Sequence, residues 1–167
     1  MEVAQARADR LVLSYVVTGN ATNIRLPAFA VPARVDALWR HTCFEAFVGA
    51  CGQTEYYEFN FAPSTQWAAY RFISYRTGMV AAAEIGTPLI EVQSAPDRFT
   101  LRATLDLGFL SALPRAARWR LGLSAVIEET SGDLSYWALA HPPGRPDFHH
   151  TACFVHELPA ACLIPPS

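Results

Sequence analysis

Two glutamates, an asparagine and a tryptophan carry the clearest potential for chemistry in this sequence. Glu45, Glu58, Asn60 and Trp67 lie close together in the chain, in a region where bulky apolar residues recur at alternate positions. Carboxylate and amide groups form directional hydrogen bonds, and an indole adds a flat apolar body. This mixture favours a recognition surface for a small molecule, and the two carboxyl groups alone would also suit acid/base catalysis.

The alignment of these residues depends on three predicted strands. Period-two alternation of apolar and polar residues predicts strands at Thr42 to Ala50, Glu55 to Phe61 and Gln66 to Arg76. Gly52-Gln53, taken as a two-residue hairpin turn, places Glu45 opposite Asn60. Residues 62–65, taken as a four-residue turn, place Asn60 opposite Trp67. The three side chains are therefore predicted to form one row across three strands.

The same register divides the three strands into two faces. The predicted core face holds Phe44, Ala46, Val48, Tyr57, Phe59, Phe61, Ala68, Tyr70 and Phe72. The opposite face holds Glu45, Phe47, Tyr56, Glu58, Asn60, Trp67 and Arg71. Aromatic groups mixed with charged and amide groups are typical of a binding surface, whereas the outer positions of residues 99–107 carry no aromatic side chain. The simpler alternative is an ordinary solvated outer face.

A second hairpin extends this argument. A four-residue turn at residues 130–133 pairs Ile127 with Tyr136 and places Val126 across from Trp137. The face opposite the core then gathers Ser124, Glu128, Trp137 and His141. Trp137 is predicted to be a second exposed indole among hydrogen-bonding groups, the alternative being that it only covers the sheet beneath a loop.

A proline-rich loop at residues 142–150 follows and ends in Asp147, His149 and His150. Such a stiff loop suits the presentation of side chains to a site. Asp147 and a histidine, aided by His141, would be able to coordinate a divalent cation, but no established metal spacing is matched. We therefore expect these residues to order the loop without a metal.

The remaining pattern also predicts strands. Besides the three above, they are Leu11 to Val17, Ile24 to Leu26, Leu89 to Ser94, Phe99 to Leu107, Trp119 to Glu129, Leu134 to His141 and Cys153 to Leu158. Helix is predicted only as short turns at Asp36 to Trp39 and Ser111 to Arg118. This pattern predicts an all-β, antiparallel β-sandwich of jelly-roll type.

Composition limits the classes of partner. A chain of 167 residues with 51% hydrophobic residues predicts one domain, residues 1–167, that folds without a metal or disulfide. The net charge of −2 gives no electrostatic footprint for nucleic acid. No segment has the roughly 20 apolar residues of a membrane span, and the first residues lack the order of a secretory signal. We therefore predict a cytoplasmic protein whose partners include neither nucleic acid nor membrane.

Composition also limits reactive chemistry. All 13 basic residues are arginine, which excludes Schiff-base lysine chemistry and a Walker-type phosphate loop. The four cysteines have no close C-x-x-C spacing and are predicted to be free thiols: Cys43, Cys51, Cys153 and Cys162.

Several segments resemble a known family. They are Trp39 to Phe47, Tyr57 to Ser64 with Trp67 and Tyr70, and Tyr136 to Pro142 running into Pro146 to His149. These segments resemble bacterial DOMON-like domains, which are related to family 9 carbohydrate-binding modules. The similarity to the carbohydrate modules rests mainly on the Trp-x5-Glu-x-Phe start at Trp39 and on the Tyr-Glu-Phe-Asn run that begins at Tyr57.

The resemblance implies a β-sandwich that binds sugars or haem. It implies that Trp67 and Trp137 are platforms that stack on a sugar ring. The predicted ligand-binding residues are Glu45, Glu58, Asn60, Trp67, Arg71, Glu128, Trp137, His141, Asp147 and His149. We thus predict a non-catalytic module for a carbohydrate or small polar metabolite, without a cofactor.

Two alternatives stay open. One is a haem-binding module, with axial ligands drawn from His41, Met79, His141 and His149. The other is a hydrolase that uses Glu45 and Glu58 as paired carboxylates.

Overall fold

The computed structural model describes residues 1–7 and 10–158 of the chain. Within these ranges the protein forms eleven strands and four short 3₁₀ turns. The strands are β1 Glu2–Arg7, β2 Arg10–Thr18, β3 Cys43–Ala50, β4 Tyr56–Phe61, β5 Trp67–Phe72, β6 Val80–Ala81, β7 Leu89–Ala95, β8 Arg98–Asp106, β9 Trp119–Glu128, β10 Leu134–Ala138 and β11 His156–Leu158. The turns are Ala21–Asn23, Leu38–Arg40, Leu107–Phe109 and Thr151–Cys153.

The strands form two antiparallel sheets. The smaller sheet has the order β1-β2-β8-β7 and the larger has the order β10-β9-β3-β4-β5-β6. Strand β11 also pairs with β9, beside the half of β9 that β10 leaves free. The prediction of an all-β sandwich is confirmed, since helix is limited to 3₁₀ turns. None of the helical segments in the described ranges has the length and apolarity to cross a membrane.

The main core lies between the two sheets. Period-two alternation buries one face of each sheet, so the apolar residues of both sheets meet there. The ring of Phe44 on β3 stacks on that of Phe99 on β8, with 5.7 Å between centroids. The Tyr15 hydroxyl on β2 donates to the backbone carbonyl of Glu45 at 2.7 Å, which joins the sheets by a buried hydrogen bond.

A second apolar cluster covers the other face of the larger sheet. Its buried members are Phe47, Tyr56, Ala68, Tyr70, Phe72, Val126, Phe148, Cys153 and Phe154. Three of these come from residues 139–155, which we call the covering segment because it lies against this outer face between β10 and β11. Leu38 and Trp39, from the turn before β3, pack against the same cluster. Both faces of the central strands are therefore buried.

The register of β3 and β4 is confirmed, and that of β4 and β5 is shifted by one residue from the prediction. Glu45 lies opposite Asn60 as predicted, but Asn60 lies opposite Ala68 rather than Trp67. The loop has three residues, not four, because Ala62 N–H donates to the Gln66 carbonyl at 2.9 Å. Thr65 ends this loop in the left-handed conformation, with φ of 74°. A shift of one residue moves every side chain of β5 to the opposite face.

The hairpin between β9 and β10 shows the same difference. Glu129 N–H donates to the Asp133 carbonyl at 2.8 Å, which closes a three-residue loop. Gly132 supplies the left-handed residue, with φ of 95°. Tyr136 therefore lies opposite Val126, and Trp137 lies opposite Ala125.

Several predicted element bounds also change. Residues 24–26 make a single β-bridge at Ile24, not a strand. Strand β5 ends at Phe72 because the chain then makes a tight turn, which the Ile73 N–H closes by donating to the Thr77 carbonyl at 3.1 Å. Strand β11 begins only at His156, after a 3₁₀ turn. Residues 111–118 form irregular turns, and the nearby 3₁₀ turn lies earlier, at Leu107–Phe109.

Candidate functional site

A cavity of about 500 Å³ lies on the outer face of the larger sheet. Its floor is formed by side chains of β3, β4, β5, β9 and β10: Glu45, Phe47, Glu58, Phe72, Val126 and Tyr136. Its walls come from the turn before β3, the β5–β6 connection and the covering segment: Trp39, Arg76, Met79, Pro146, Phe148 and His149. The cavity thus combines two carboxyl groups with aromatic side chains, in the size range of small-molecule sites.

The two carboxyl groups are held by neutral donors. The Ser124 hydroxyl donates to Glu45 Oε2 at 2.9 Å, and the Asn60 amide donates to Glu58 Oε1 at 2.7 Å. The Cys43 thiol donates in turn to Asn60 Oδ1 at 3.4 Å. Glu45 and Glu58 are only 3% and 5% exposed, so these bonds fix the carboxyl groups in place. Asn60 is buried beneath the cavity and positions Glu58.

Burial changes the acidity of both groups. The pKa of Glu45 is raised from 4.5 to about 8, first by burial and then by the charge of Glu58, against the lowering effects of Ser124 and Arg76. Burial also raises the pKa of Glu58, against the lowering effects of the Asn60 hydrogen bond and of Arg76. With a pKa of about 8, Glu45 holds its proton at neutral pH unless a cation approaches it.

His149 lies beside Glu58 as a neutral imidazole. Its Nε2 is 3.6 Å from Glu58 Oε2, too far for a hydrogen bond. The pKa of His149 is lowered to about 4, first by burial and then by Arg76, against the raising effect of Asp147. The Tyr56 hydroxyl lies 2.8 Å from Nδ1 and accepts the backbone N–H of Arg76 at 3.1 Å. The hydrogen bond between Tyr56 and Nδ1 fixes the orientation of the imidazole, with Nε2 directed to Glu58.

Asp147 holds the covering segment against the β5–β6 connection. It accepts Arg76 Nη2 at 2.7 Å, the Tyr75 hydroxyl, and the backbone N–H of His149 at 3.2 Å. Burial acts to raise the pKa of Asp147, but the bonds from Tyr75 and Arg76 outweigh it and the pKa is lowered. In the described ranges, no group of three His, Cys, Asp or Glu side chains is arranged to hold a metal ion. The bonds that Asp147 accepts tie the start of this loop segment to Tyr75 and Arg76.

The predicted exposure of Trp67 is wrong. Trp67 is 3% exposed and belongs to the core between the sheets, because the three-residue loop before it moves it to the inner face. Arg34 covers its ring, with 4.2 Å from the guanidinium carbon to the centroid. The same shift places Arg71 on the inner side of β5, opposite Tyr57.

Three other predicted residues lie outside the cavity lining. Trp137 is 60% exposed as expected, but it lies on the inner side of β10 and lines a different cavity with Phe44 and Ala125. Glu128 pairs with Arg25 Nη1 at 2.8 Å and with His41 Nδ1 at 2.7 Å, at another cavity near the start of β3. The exposed His141 packs against Phe148, with ring centroids 6.0 Å apart. Of the ten predicted site residues, Glu45, Glu58 and His149 line the cavity, and Asn60 and Asp147 support it.

Sequence reasoning missed most of the aromatic lining. Trp39 packs edge-on against Tyr70, with ring centroids 5.7 Å apart. In the sequence, only the Trp-x5-Glu spacing between Trp39 and Glu45 indicated that Trp39 belongs to the site. Tyr136 and Phe72 were placed on the core face by the two turn-length errors. Arg76 lies in the irregular β5–β6 connection, where period two carries no information.

Cys43, Cys51 and Cys153 are free thiols, and Cys162 lies outside the described residues. Cys43 is buried and burial raises the pKa of its thiol well above the usual value. The thiol is therefore protonated and acts as a hydrogen-bond donor within the floor.

Comparison with known proteins identifies the fold but not a family. No protein-family model matches the chain, and no curated protein matches it significantly. The structure is similar to the crystal structure of a putative carbohydrate-binding protein from Bacteroides uniformis ATCC 8492. The two proteins share 15% sequence identity with a TM-score of 0.64, over 91% of this chain and 73% of that chain. At this identity the likeness shows a shared fold alone.

Proposed function

We propose that this protein is a non-catalytic module that binds a small polar ligand, best fitted by a carbohydrate, in the cavity on the outer face of the larger sheet. The observation that carries the proposal is the pair of buried carboxyl groups, Glu45 and Glu58, inside a cavity of about 500 Å³ with aromatic walls. Buried polar groups without a full set of protein partners are costly, so their retention in a cavity supports a role in ligand recognition.

The shape of the lining fits a sugar ring. A pyranose has apolar C–H faces and a rim of hydroxyl groups, so it needs flat aromatic surface beside directional hydrogen-bonding groups. Trp39 is half-buried and Tyr136 is 45% exposed, and both line the cavity. Glu45 and Glu58 provide oxygens that face the same space. These two aromatics replace Trp67 and Trp137 as the proposed stacking platforms.

The fold gives further support. The Bacteroides protein, which has the same fold, is a putative carbohydrate-binding protein. The resemblance to DOMON-like domains and family 9 modules points to the same class of ligand. In that resemblance Trp39 opens the Trp-x5-Glu-x-Phe segment, and both Trp39 and Glu45 line the cavity.

Two neighbouring aromatic residues provide a matched test. Tyr136 lies on the cavity side of β10, and the adjacent Trp137 lies on the other side. Monosaccharides and disaccharides would be titrated into the protein by NMR and calorimetry. For any sugar that binds, Tyr136→Ala should weaken binding by about fivefold to tenfold, from the roughly 1 kcal/mol of aromatic stacking. Trp137→Ala should leave the affinity unchanged. The reverse pattern would place the ligand elsewhere and reject the proposed cavity.

Glycoside hydrolysis is a second candidate function, favoured by one observation. Glu45, with a pKa of about 8, has the acidity of a general acid, and Glu58 lines the same cavity. Release of nitrophenol from aryl glycosides, and its loss in Glu58→Gln, would support hydrolysis over simple binding. Binding of a saccharide without turnover would support the module.

A further inference from the structure

The two carboxyl groups of the cavity lack a cationic partner. One oxygen of each accepts a neutral donor, Ser124 for Glu45 and Asn60 for Glu58. Among the described residues, the second oxygen of Glu45 has no hydrogen-bond partner, and that of Glu58 has only the distant Nε2 of His149. Both side chains are more than nine-tenths buried and line the cavity. A buried carboxyl group either pairs with a cation or metal or keeps its proton, so Glu45 and Glu58 retain oxygens that a cationic ligand can use.

The other charged groups around the cavity do not supply that partner. Arg76 is the cationic side chain of the lining, and it is bound through Nε and Nη2 to Asp147 at 3.2 and 2.7 Å. His149 is neutral, because burial lowers its pKa to about 4. The hydrogen bonds of Arg76 are therefore directed to Asp147, and Arg76 acts on Glu45 and Glu58 only through space, by lowering their pKa values.

The aromatic lining is also suited to a cation. Trp39, Phe47, Phe72, Tyr136 and Phe148 surround the space above the two carboxyl groups. Aromatic faces attract ammonium groups, and carboxylates form strong charge-assisted hydrogen bonds with them. Neutral sugars would use the aromatic faces but would offer no cation to the two carboxyl groups.

We propose that the ligand of this cavity carries a protonated amine that binds between Glu45 and Glu58, which makes an amino sugar its chemical class. This inference rests on the proposed function and specifies the ligand for the same site. The ring of the sugar stacks on the aromatic walls, and its ammonium group donates to the two free carboxylate oxygens.

Binding of such a cation should release a proton. The groups near Glu45 are Glu58, Arg76, Cys43 and Tyr15, and burial keeps the last two neutral by raising their pKa values well above the usual range. Glu45 holds its own proton up to about pH 8 in the free protein. An ammonium group beside it favours the carboxylate and lowers this pKa, so the proton leaves to the buffer. A neutral sugar has no such effect.

The experiment compares glucosamine, N-acetylglucosamine and glucose by calorimetry at pH 6, where the amine of glucosamine is charged. Measurements in buffers of different ionisation enthalpy give the number of protons released. Glucosamine should bind at least about tenfold more tightly than the two neutral sugars and should release protons on binding. Glu45→Gln and Glu58→Gln should each reduce this preference, and Glu45→Gln should abolish most of the proton release. Glu157→Gln, at an exposed glutamate of β11, is the matched control and should change neither.

The outcomes separate the two proposals. Equal affinity for the three sugars, with no proton release, would overturn the amine inference and leave carbohydrate binding intact. If none of the sugars binds, the proposed function fails for monosaccharides, and methylammonium then becomes the probe. Shifts of the Tyr136 NMR signals with methylammonium that are lost in Glu45→Gln would support the cation site, and their absence would reject it.

Discussion

Replacing Glu45 with glutamine should change how the stability of the protein depends on pH. Glu45 is almost fully buried, and burial first and the charge of Glu58 second raise its pKa from 4.5 to about 8. A group whose pKa is raised by folding favours the folded state only in its protonated form. In the wild-type protein this contribution is complete below about pH 4.5 and is lost as the pH rises towards 8. Glutamine does not ionise, so the variant should not show this loss.

The size of the effect follows from the pKa rise. Each pH unit between 4.5 and about 8 corresponds to about 1.4 kcal/mol, so the whole rise is worth roughly 5 kcal/mol in unfolding free energy. Between pH 5 and pH 7 the wild-type protein should lose about 3 kcal/mol relative to Glu45→Gln. Any cost of the substitution itself, such as a weaker bond to Ser124, is independent of pH and appears as a constant offset.

Urea denaturation followed by tryptophan fluorescence, at each pH from 5 to 8, measures this difference. The control is Glu157→Gln, because this exposed glutamate pairs only loosely with Arg118 and Arg120, at 3.8 and 4.0 Å. Its stability curve should run parallel to that of the wild type. A Glu45→Gln curve that also ran parallel to the wild type would show that this carboxyl group ionises normally, and would refute the description of the cavity floor.

Three further predictions concern packing and cofactors. Trp67→Ala, at a buried indole, should cost roughly 3 to 5 kcal/mol of unfolding free energy, measured by urea denaturation. Trp137→Ala, at an exposed indole, should change it by less than about 0.5 kcal/mol. Equal effects of the two substitutions would contradict the register of β5. Gly122→Ala should destabilise the protein by about 1 to 3 kcal/mol, because the new Cβ would lie 2.9 Å from a backbone carbonyl oxygen of the covering segment. Gly86→Ala is the control: its Cβ would meet no atom within 4 Å, so the unfolding free energy should stay unchanged. Purified protein should show no Soret band, and mass spectrometry should find no stoichiometric zinc or iron. The reason is that both ring nitrogens of His149 already face protein groups. Bound metal that disappears in the His149→Ala variant would contradict this prediction.

The strands and the outer-face position of the two glutamates could be predicted because period-two alternation directly reports which side of a strand is buried. Glu45 and Glu58 were placed correctly because the observed connection, residues 51–55 with a tight turn at Ala50 to Gln53, gives the same register as the predicted two-residue turn. Their burial was not predicted, since the covering segment has no periodicity that would reveal where it packs. The aromatic lining was not predicted either, because it depends on the lengths of two turns.

Both turn errors have the same physical origin. A three-residue hairpin loop needs its last residue in the left-handed conformation. At Gly132 the sequence carries a signal for this conformation, since glycine adopts it without strain. At Thr65 it carries none, because a β-branched residue rarely adopts it. Thr65 is held there by tertiary contacts, notably the bond from its hydroxyl to the Ala30 carbonyl at 2.8 Å, which local sequence patterns do not report.

The covering segment begins after β10 and ends at β11, and both of these strands pair with β9. Its two ends are therefore fixed to one strand, while the chain between them lies over the cavity as a continuous loop. Such a segment can change in length and composition without disturbing the sheets that hold its ends. Selection for a new ligand can thus act on one contiguous stretch of the gene. In the laboratory, a library randomised within residues 142–150 would use the same property to turn this fold into a scaffold for new binding proteins.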